Sequence, residues 1–199
     1  LSFVVPSYDL LGEGFDAQRY WRGPVWINTN WLLASGLRQH GYHSLFRSDH
    51  YYNGKQKEAI DVYLSFVLAA ERTSRIRFGP LVTPVTFREP VNVGRMAQQL
   101  DALSGGRFVM GLGAGWYPDE HARYGLDFPP PPERYDRLEE AIALMKELWY
   151  SPAGTFAGRY YQIEGTNSQP HPPAGRPPIL IGGTGPRRTL RIVAEHAGE

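Results

Sequence analysis

The 199-residue chain has no cysteine, and that one absence removes disulfides, thiolate metal sites and cysteine nucleophiles together. It has no run of about 18 apolar residues, so no helical membrane span is expected. It also lacks an excess of charge: 21 Lys+Arg stand against 20 Asp+Glu for a net charge of +1, with no block of one sign. The electrostatic footprint of a nucleic-acid binder is therefore missing, and the expected partner is a small molecule, with no nucleic acid and no membrane. The six histidines show no metal-ligand spacing and there is no Gly-x-Ser-x-Gly nucleophile elbow, so neither a metal site nor a serine hydrolase is predicted. The opening residues LSFVVPSYD carry no initiator Met, basic n-region or apolar h-region, which reads as a soluble, cytoplasmic protein and a piece of a longer one.

What the chain does hold is a regular alternation of helix-like and strand-like segments. Residues 29–41 are helix-like and end at Gly41, and SLFRS (44–48) reads as a strand. Ile60, Val62, Tyr63, Phe66, Val67 and Ala70 recur at helical spacing within 56–72, and RIRFGPLVT (75–83) reads as a buried strand. Pro90 suits a first helical turn, Val93, Met96, Ala97, Leu100 and Leu103 continue one face, and Ser104-Gly105-Gly106 stops it. RFVMGLG (107–113) is the next strand; PPPP (129–132) leads a helix carrying Leu138, Ala141, Ile142, Met145, Leu148 and Trp149 on one side. A hairpin-like insert around 154–165 precedes the strand in PPILIGG and a last helix in RRTLRIVAEHA. Nearly continuous apolar strands alternating with helices predict an α/β fold with a parallel sheet; periodicity leaves a barrel and a doubly wound sheet equally open.

In such folds ligands bind beyond the carboxyl ends of the strands. Those ends carry Ser48-Asp49-His50, Thr83-Pro84, Gly113-Ala114-Gly115-Trp116 and Gly182-Gly183-Thr184-Gly185. Asp49-His50 pairs an acid with an imidazole able to exchange protons near neutral pH, although a plain turn cap explains the same two residues. GGTGP before a helix offers free N–H groups and the positive end of a helix dipole, suited to phosphate, with Arg187 and Arg188 beside it; a tight turn needing glycine is the alternative. The glycines of MGLGAGW (110–116) fail the GxGxxG spacing and exclude a Rossmann reading; they let a flat ligand approach the backbone, or they only pack. The acid pairs Asp119-Glu120 and Glu139-Glu140 read as solvated helix faces.

From about residue 41 onward the sequence resembles the luciferase-like flavin and deazaflavin oxidoreductases. The resemblance runs through GYHSLFRSDHYY (41–52), SRIRFGPLVTPVTFREP (74–90), LDALSGGRFVMGLGAGW (100–116), FPPPPERYDRLEEAIALMKELW (128–149), FAGRYYQIEG (156–165) and PPILIGGTGPRRTLRIVAEHAGE (177–199). It implies a (β/α)8 TIM barrel, present here in part, without its last strands and with an atypical N-terminal segment. It also implies hydride transfer between an organic substrate and coenzyme F-420 (F420), with FMN as the alternative and monooxygenases among the relatives. Carried over position by position, Asp49 and His50 would lie beside the ring system, with His50 handling the proton or orienting the substrate. Gly79-Pro80-Leu81-Val82 would form the bulge that backs the ring, often through a non-prolyl cis peptide, with Thr83 as its hydrogen-bonding neighbour. Gly113, Ala114, Gly115 and Trp116 would border the ring and substrate, and Gly182, Gly183, Thr184 and Gly185 would hold the phosphate. A homodimer is among the assemblies the resemblance allows.

Residues 15–42, FDAQRYWRGPVWINTNWLLASGLRQHGY, resemble a segment of the glycoside hydrolase family 63-type glucosidases, where Trp21, Arg22 and Trp26 would belong to a sugar-binding wall. None of the paired catalytic carboxylates of such an enzyme accompanies them. The expected organisation is a fusion, with a glucosidase-like segment over 1–41 and an incomplete oxidoreductase domain over 42–199. Two other readings remain at this point: a carbohydrate-active fragment, and a non-catalytic α/β fragment that completes its sheet with another chain.

Overall fold

The structure, a computed structural model, describes residues 41–52, 60–166, 169–170 and 175–198. All but Gly41 of the helix expected over 29–41, and Trp21, Arg22 and Trp26, lie outside the described residues.

Strand β1 (Ser44–Arg47) runs parallel to β2 (Arg77–Pro80), from Ser44 opposite Arg77 to Arg47 opposite Pro80. A parallel bridge from Phe78 to Phe108 joins β2 to the segment entering β4 (Met110–Gly113). Strand β3 (Thr83–Pro84) pairs with β4, and β4 pairs in parallel with β7 (Ile179–Gly182), Gly113 lying opposite Gly182. Strands that follow one another through intervening helices thus lie side by side and parallel, as in part of a (β/α) barrel. The single strand expected over 75–83 is interrupted: the ladder breaks at Leu81-Val82, whose peptide is cis, and resumes at Thr83. The expected insert is an antiparallel hairpin of β5 (Gly154–Ala157) and β6 (Gln162–Thr166).

Each helix begins and ends where its sequence dictates. Helix α1 (Val62–Arg72) starts later than the apolar spacing suggested because Asp61 caps it, its Oδ1 accepting from the N–H groups of Tyr63 at 2.8 Å and Leu64 at 3.3 Å. Helix α2 (Pro90–Ser104) opens on proline and closes on Gly105 at φ 67°, a left-handed position that glycine takes without strain. Helix α3 (Pro118–Tyr124), between Pro118 and Gly125, lies in the loop after β4, and α4 (Pro131–Tyr150) and α5 (Arg188–His196) follow.

Phe66 of α1 meets Phe78 and Phe108 with ring centroids 5.7 and 5.9 Å apart, closing the helix onto the sheet. Leu138, Ala141, Ile142, Met145, Leu148 and Trp149 are all buried, as their spacing predicted. Trp149 Nε1 donates to the Gly94 carbonyl at 2.9 Å, and a Cβ built on Gly94 would come within 3.0 Å of Leu148, so glycine lets α2 and α4 meet closely. Arg107 ties the ends of α1 and α2 to the sheet through Ala70 O, Thr73 Oγ1, Ile76 O and Ser104 O. The acids of α4 are not a solvated face. Glu139 pairs with Arg188 at 2.7 Å and Arg191 at 2.6 Å, and Glu140 accepts the N–H groups of Arg159, Tyr160 and Tyr161 in the hairpin turn.

Candidate active site

The carboxyl ends of the strands gather the residues singled out in the sequence. At the end of β1 the Asp49 side chain is buried. Its Oδ2 accepts from Thr83 Oγ1 at 2.8 Å and from Arg88 at 2.6 Å, and Arg88 reaches on to Asp61 at 2.6 Å. Tyr63 completes the cluster, its hydroxyl 2.9 Å from Thr83 Oγ1 and its ring beneath the guanidinium. Burial pushes the Asp49 carboxyl up, and the neighbouring Arg88 charge pulls it back. Burial also works against the Arg88 charge, but Asp49 and Asp61 outweigh it and hold Arg88 above its ordinary value. Asp49 therefore locks β1 to β3 across the interruption through its Oδ2.

His50 has its side chain 14% exposed, and its Nδ1 lies 2.7 Å from Glu120 Oε2. The imidazole is fenced edge-on by Phe87, Trp116 and Tyr117, with ring centroids 6.5, 6.0 and 6.5 Å away. Among the described residues Nε2 has no hydrogen-bond partner. Trp116 is 69% exposed and stacks on Tyr117 at 5.1 Å, a flat aromatic surface beside the histidine.

The loop that carries Trp116 is held from below. Arg134 of α4 donates through Nη1 to the carbonyls of Ala114 and Gly115, its guanidinium 3.9 Å from the Phe128 ring centroid. Buried His121 joins Tyr117 O at 2.7 Å to Thr86 Oγ1 at 2.6 Å. Gly115, at φ +76°, turns the chain between these anchors.

Two of the glycines at the strand ends pack against one valine side chain. A Cβ on Gly113 would lie 2.7 Å from Val82 Cγ2, and Gly182 faces the same side chain, so both are glycine to admit Val82. Packing on Val82 is therefore one role of both glycines. In the turn after β7, Gly183 and Thr184 are exposed, and no hydrogen bond among the described residues engages the N–H of Gly183, Thr184 or Gly185. Cβ atoms on Gly183 and Gly185 would come within 3.0 Å of Thr189 Oγ1, and that on Gly185 within 2.8 Å of Tyr135 OH; these two hydroxyls, bonded at 2.9 Å, underlie the turn. Arg188 does not attend it: its guanidinium is committed to Pro132 O, Asp136 and Glu139.

Glu120 was hidden in the sequence as half of an acid pair. Its side chain is wholly buried, and Oε1 accepts the N–H groups of both Tyr51 and Tyr52 while Oε2 meets His50. Arg88 gave no signal either, because its two partners lie 39 and 27 positions away. Among the described residues no cluster of three His, Cys, Asp or Glu is arranged to hold a metal, and no helix is long and apolar enough to cross a membrane.

Fold and site define a partial parallel α/β barrel whose polar and aromatic groups converge at the carboxyl ends of its strands. The chain belongs to the luciferase-like monooxygenase family, whose model matches residues 27–198. It is 34% identical over 194 residues to the F420-dependent glucose-6-phosphate dehydrogenase of Intrasporangium calvum, covering 95% of this chain and 55% of that protein. It is 31% identical over 150 residues to the pyrimidine monooxygenase RutA of Allorhizobium ampelinum, covering 73% and 40%. Among solved structures, the coenzyme F420-dependent tetrahydromethanopterin reductase of Methanopyrus kandleri superposes with a TM-score of 0.74 at 22% identity, covering 86% of this chain and 51% of that one. The chain spans about half the length of the curated relatives it matches. The resemblance of residues 15–42 to a glucosidase is not supported, and the luciferase-like match takes in part of that stretch.

Proposed function

We propose that this chain carries the coenzyme side of an oxidoreductase that moves a hydride between an organic substrate and F420. The observation that carries the reading is the break at Leu81-Val82. It is flanked on one side by the β1 end, through Asp49 and Thr83, and on the other by Gly113 and Gly182, which pack on Val82. A flat ring laid against that break would have Leu81, Val82 and Thr83 behind it, Gly113, Ala114 and Gly115 along its border, and His50 and Trp116 on the substrate side. The uncommitted N–H groups of Gly183, Thr184 and Gly185, together with Gly182, would receive the phosphate of the coenzyme tail.

The bound deazaflavin supplies a ring carbon that accepts or gives the hydride. The protein's share is orientation and proton transfer. For oxidation of an alcohol, His50 Nε2 takes the hydroxyl proton as the carbon loses its hydride, while Trp116 and Tyr117 shield the substrate from water. Asp49 keeps the β1 end in register and offers Oδ1 to the ring system. Two of the relatives are named for F420, which favours it over FMN, the competing coenzyme. The reading extends to a cytoplasmic reaction on a small molecule, without a nucleic-acid or membrane partner, and a homodimer is the assembly to test by solution mass.

Fluorescence titration of the folded chain with F420 and with FMN tests the proposal. Saturable binding of F420 tighter than that of FMN is expected. Tighter FMN binding moves the chain to the flavin branch, and binding of neither overturns the coenzyme assignment.

A further inference from the structure

We infer that Glu120 is the positioning residue of this site, fixing His50 as its Nδ1–H tautomer and so presenting an unprotonated Nε2 at the strand ends. The inference deepens, and rests on, the reading of His50 as the proton acceptor.

Three groups converge on the one buried carboxylate. The main-chain N–H groups of Tyr51 and Tyr52 both point at Oε1, at 3.1 Å for Tyr52, and the His50 ring meets Oε2 at 2.7 Å. Main-chain N–H groups only donate, so Oε1 is fixed as an acceptor and the carboxylate cannot rotate without abandoning two buried donors. An ionised carboxylate has only lone pairs to offer, so the ring nitrogen that faces it carries the proton. A neutral imidazole with its proton on Nδ1 has its lone pair on Nε2.

Three aromatic rings also flank the imidazole. Phe87, Trp116 and Tyr117 stand nearly perpendicular to it, with interplanar angles of 73°, 84° and 77°. The carboxylate comes from α3, the ring from the end of β1. Arg134 and His121 anchor the loop that joins β4 to α3, through Ala114, Gly115 and Tyr117. The carboxylate that meets the histidine is itself wholly buried, which is the usual division between a reacting imidazole and the group behind it.

Glu120→Gln separates this role from mere packing. The amide has the same shape but one acceptor and one donor end. With its oxygen kept on the two main-chain N–H groups, its NH2 end faces Nδ1 and donates, which moves the imidazole proton to Nε2. The ring stays in place and its free nitrogen changes from acceptor to donor. A carboxylate that served only to hold Tyr51 and Tyr52 would leave the tautomer as it was.

The experiment is a long-range 15N–1H correlation spectrum of histidine-labelled protein at about pH 8.5, above the ordinary imidazole range, with the His50 signals assigned from their disappearance in His50→Gln. In the native chain we expect Nδ1 to resonate as the protonated, pyrrole-type nitrogen and Nε2 as the pyridine-type one, with the two exchanged in Glu120→Gln. A native His50 protonated on Nε2 overturns the inference without any variant having to fold, and so does a folded Glu120→Gln with an unchanged tautomer. The spectra need no coenzyme, so this failure is distinct from that of the oxidoreductase reading, which falls on the F420 and FMN titrations alone.

Discussion

Val82 fills the space that a side chain on Gly182 would need: a Cβ built there lies 2.8 Å from both of its methyl carbons. Gly182→Ala should accordingly destabilise the fold by about 1–3 kcal/mol through overpacking. Val82→Ala opens a void and costs about 1–2 kcal/mol by itself. The double variant should recover part of both losses, since each change makes room for the other. Urea unfolding of the four proteins measures the coupling, and strictly additive losses would show that the two residues do not share this space.

A second prediction concerns the buried charges behind the site. Arg88→Met leaves the Asp49 carboxylate in place with Thr83 but without its guanidinium, and removal of one partner of such a pair costs about 3–5 kcal/mol. The sign with pH follows from Asp49, whose carboxyl burial already raises. An acid raised in the folded state binds its proton there above its unfolded value, so stability falls as pH rises through the interval between the two. Without Arg88 that interval extends upward, and the variant should lose more stability at pH 7 than at pH 4.5. Asp49→Asn in the same background should remove most of this pH dependence. Denaturant melts at the two pH values decide it.

Asp49 could be picked out in the sequence, and its partner Arg88 could not. Helix α2 was legible end to end, since Pro90 and Gly105 mark its limits and Val93, Ala97 and Leu100 mark its face. Helix α1 was placed too early because Asp61 was not weighed as a cap. The strand ends, and with them Asp49, His50 and the Gly182–Gly185 turn, follow from local pattern. Glu120 does not: Asp119 beside it has the same charge, and only the arrival of Tyr51 and Tyr52, nearly seventy positions earlier, distinguishes a buried carboxylate from a solvated one. The packing partners of Val82 were invisible for a similar reason. Its neighbours Gly113 and Gly182 come from two other strands, and glycine in a sequence gives no sign of whether a ligand or a valine occupies the space beside it.

At the opposite end of the barrel segment, Lys146 Nζ lies 2.8 Å from His196 Nδ1, an arrangement that requires a neutral imidazole. Burial lowers the His196 value, with Lys146 adding to it and Glu195 opposing. A histidine depressed in the folded state contributes stability that is complete above its unfolded value, near 6.5, and is lost as pH falls toward its folded value. The docking of α5 on α4 should therefore weaken between pH 7.5 and pH 5.5. His196→Gln should flatten the difference in Tm between these two conditions. An equal fall in both proteins would assign the effect elsewhere.

Arg134 offers the sharpest separation of fold from site. Its guanidinium lies against Phe128, and its Nη1 holds the carbonyls of Ala114 and Gly115, the residues that lead into Trp116 and, one turn later, Glu120. Arg134→Ala removes those two bonds and the cation–π contact, a loss of about 2–3 kcal/mol in total stability. The larger effect should be local. With its anchor gone the segment from Ala114 to Tyr117 exchanges amide hydrogens faster than the rest of β4 and α4, and F420 affinity falls by about tenfold because an ordered wall must be rebuilt on binding. Arg134→Lys keeps the charge but cannot reproduce the planar guanidinium against Phe128, so it should recover only part of the affinity. Hydrogen-exchange mass spectrometry together with F420 titration measures both arms. Faster exchange spread evenly over α4, with affinity unchanged, would make Arg134 a residue of the fold alone.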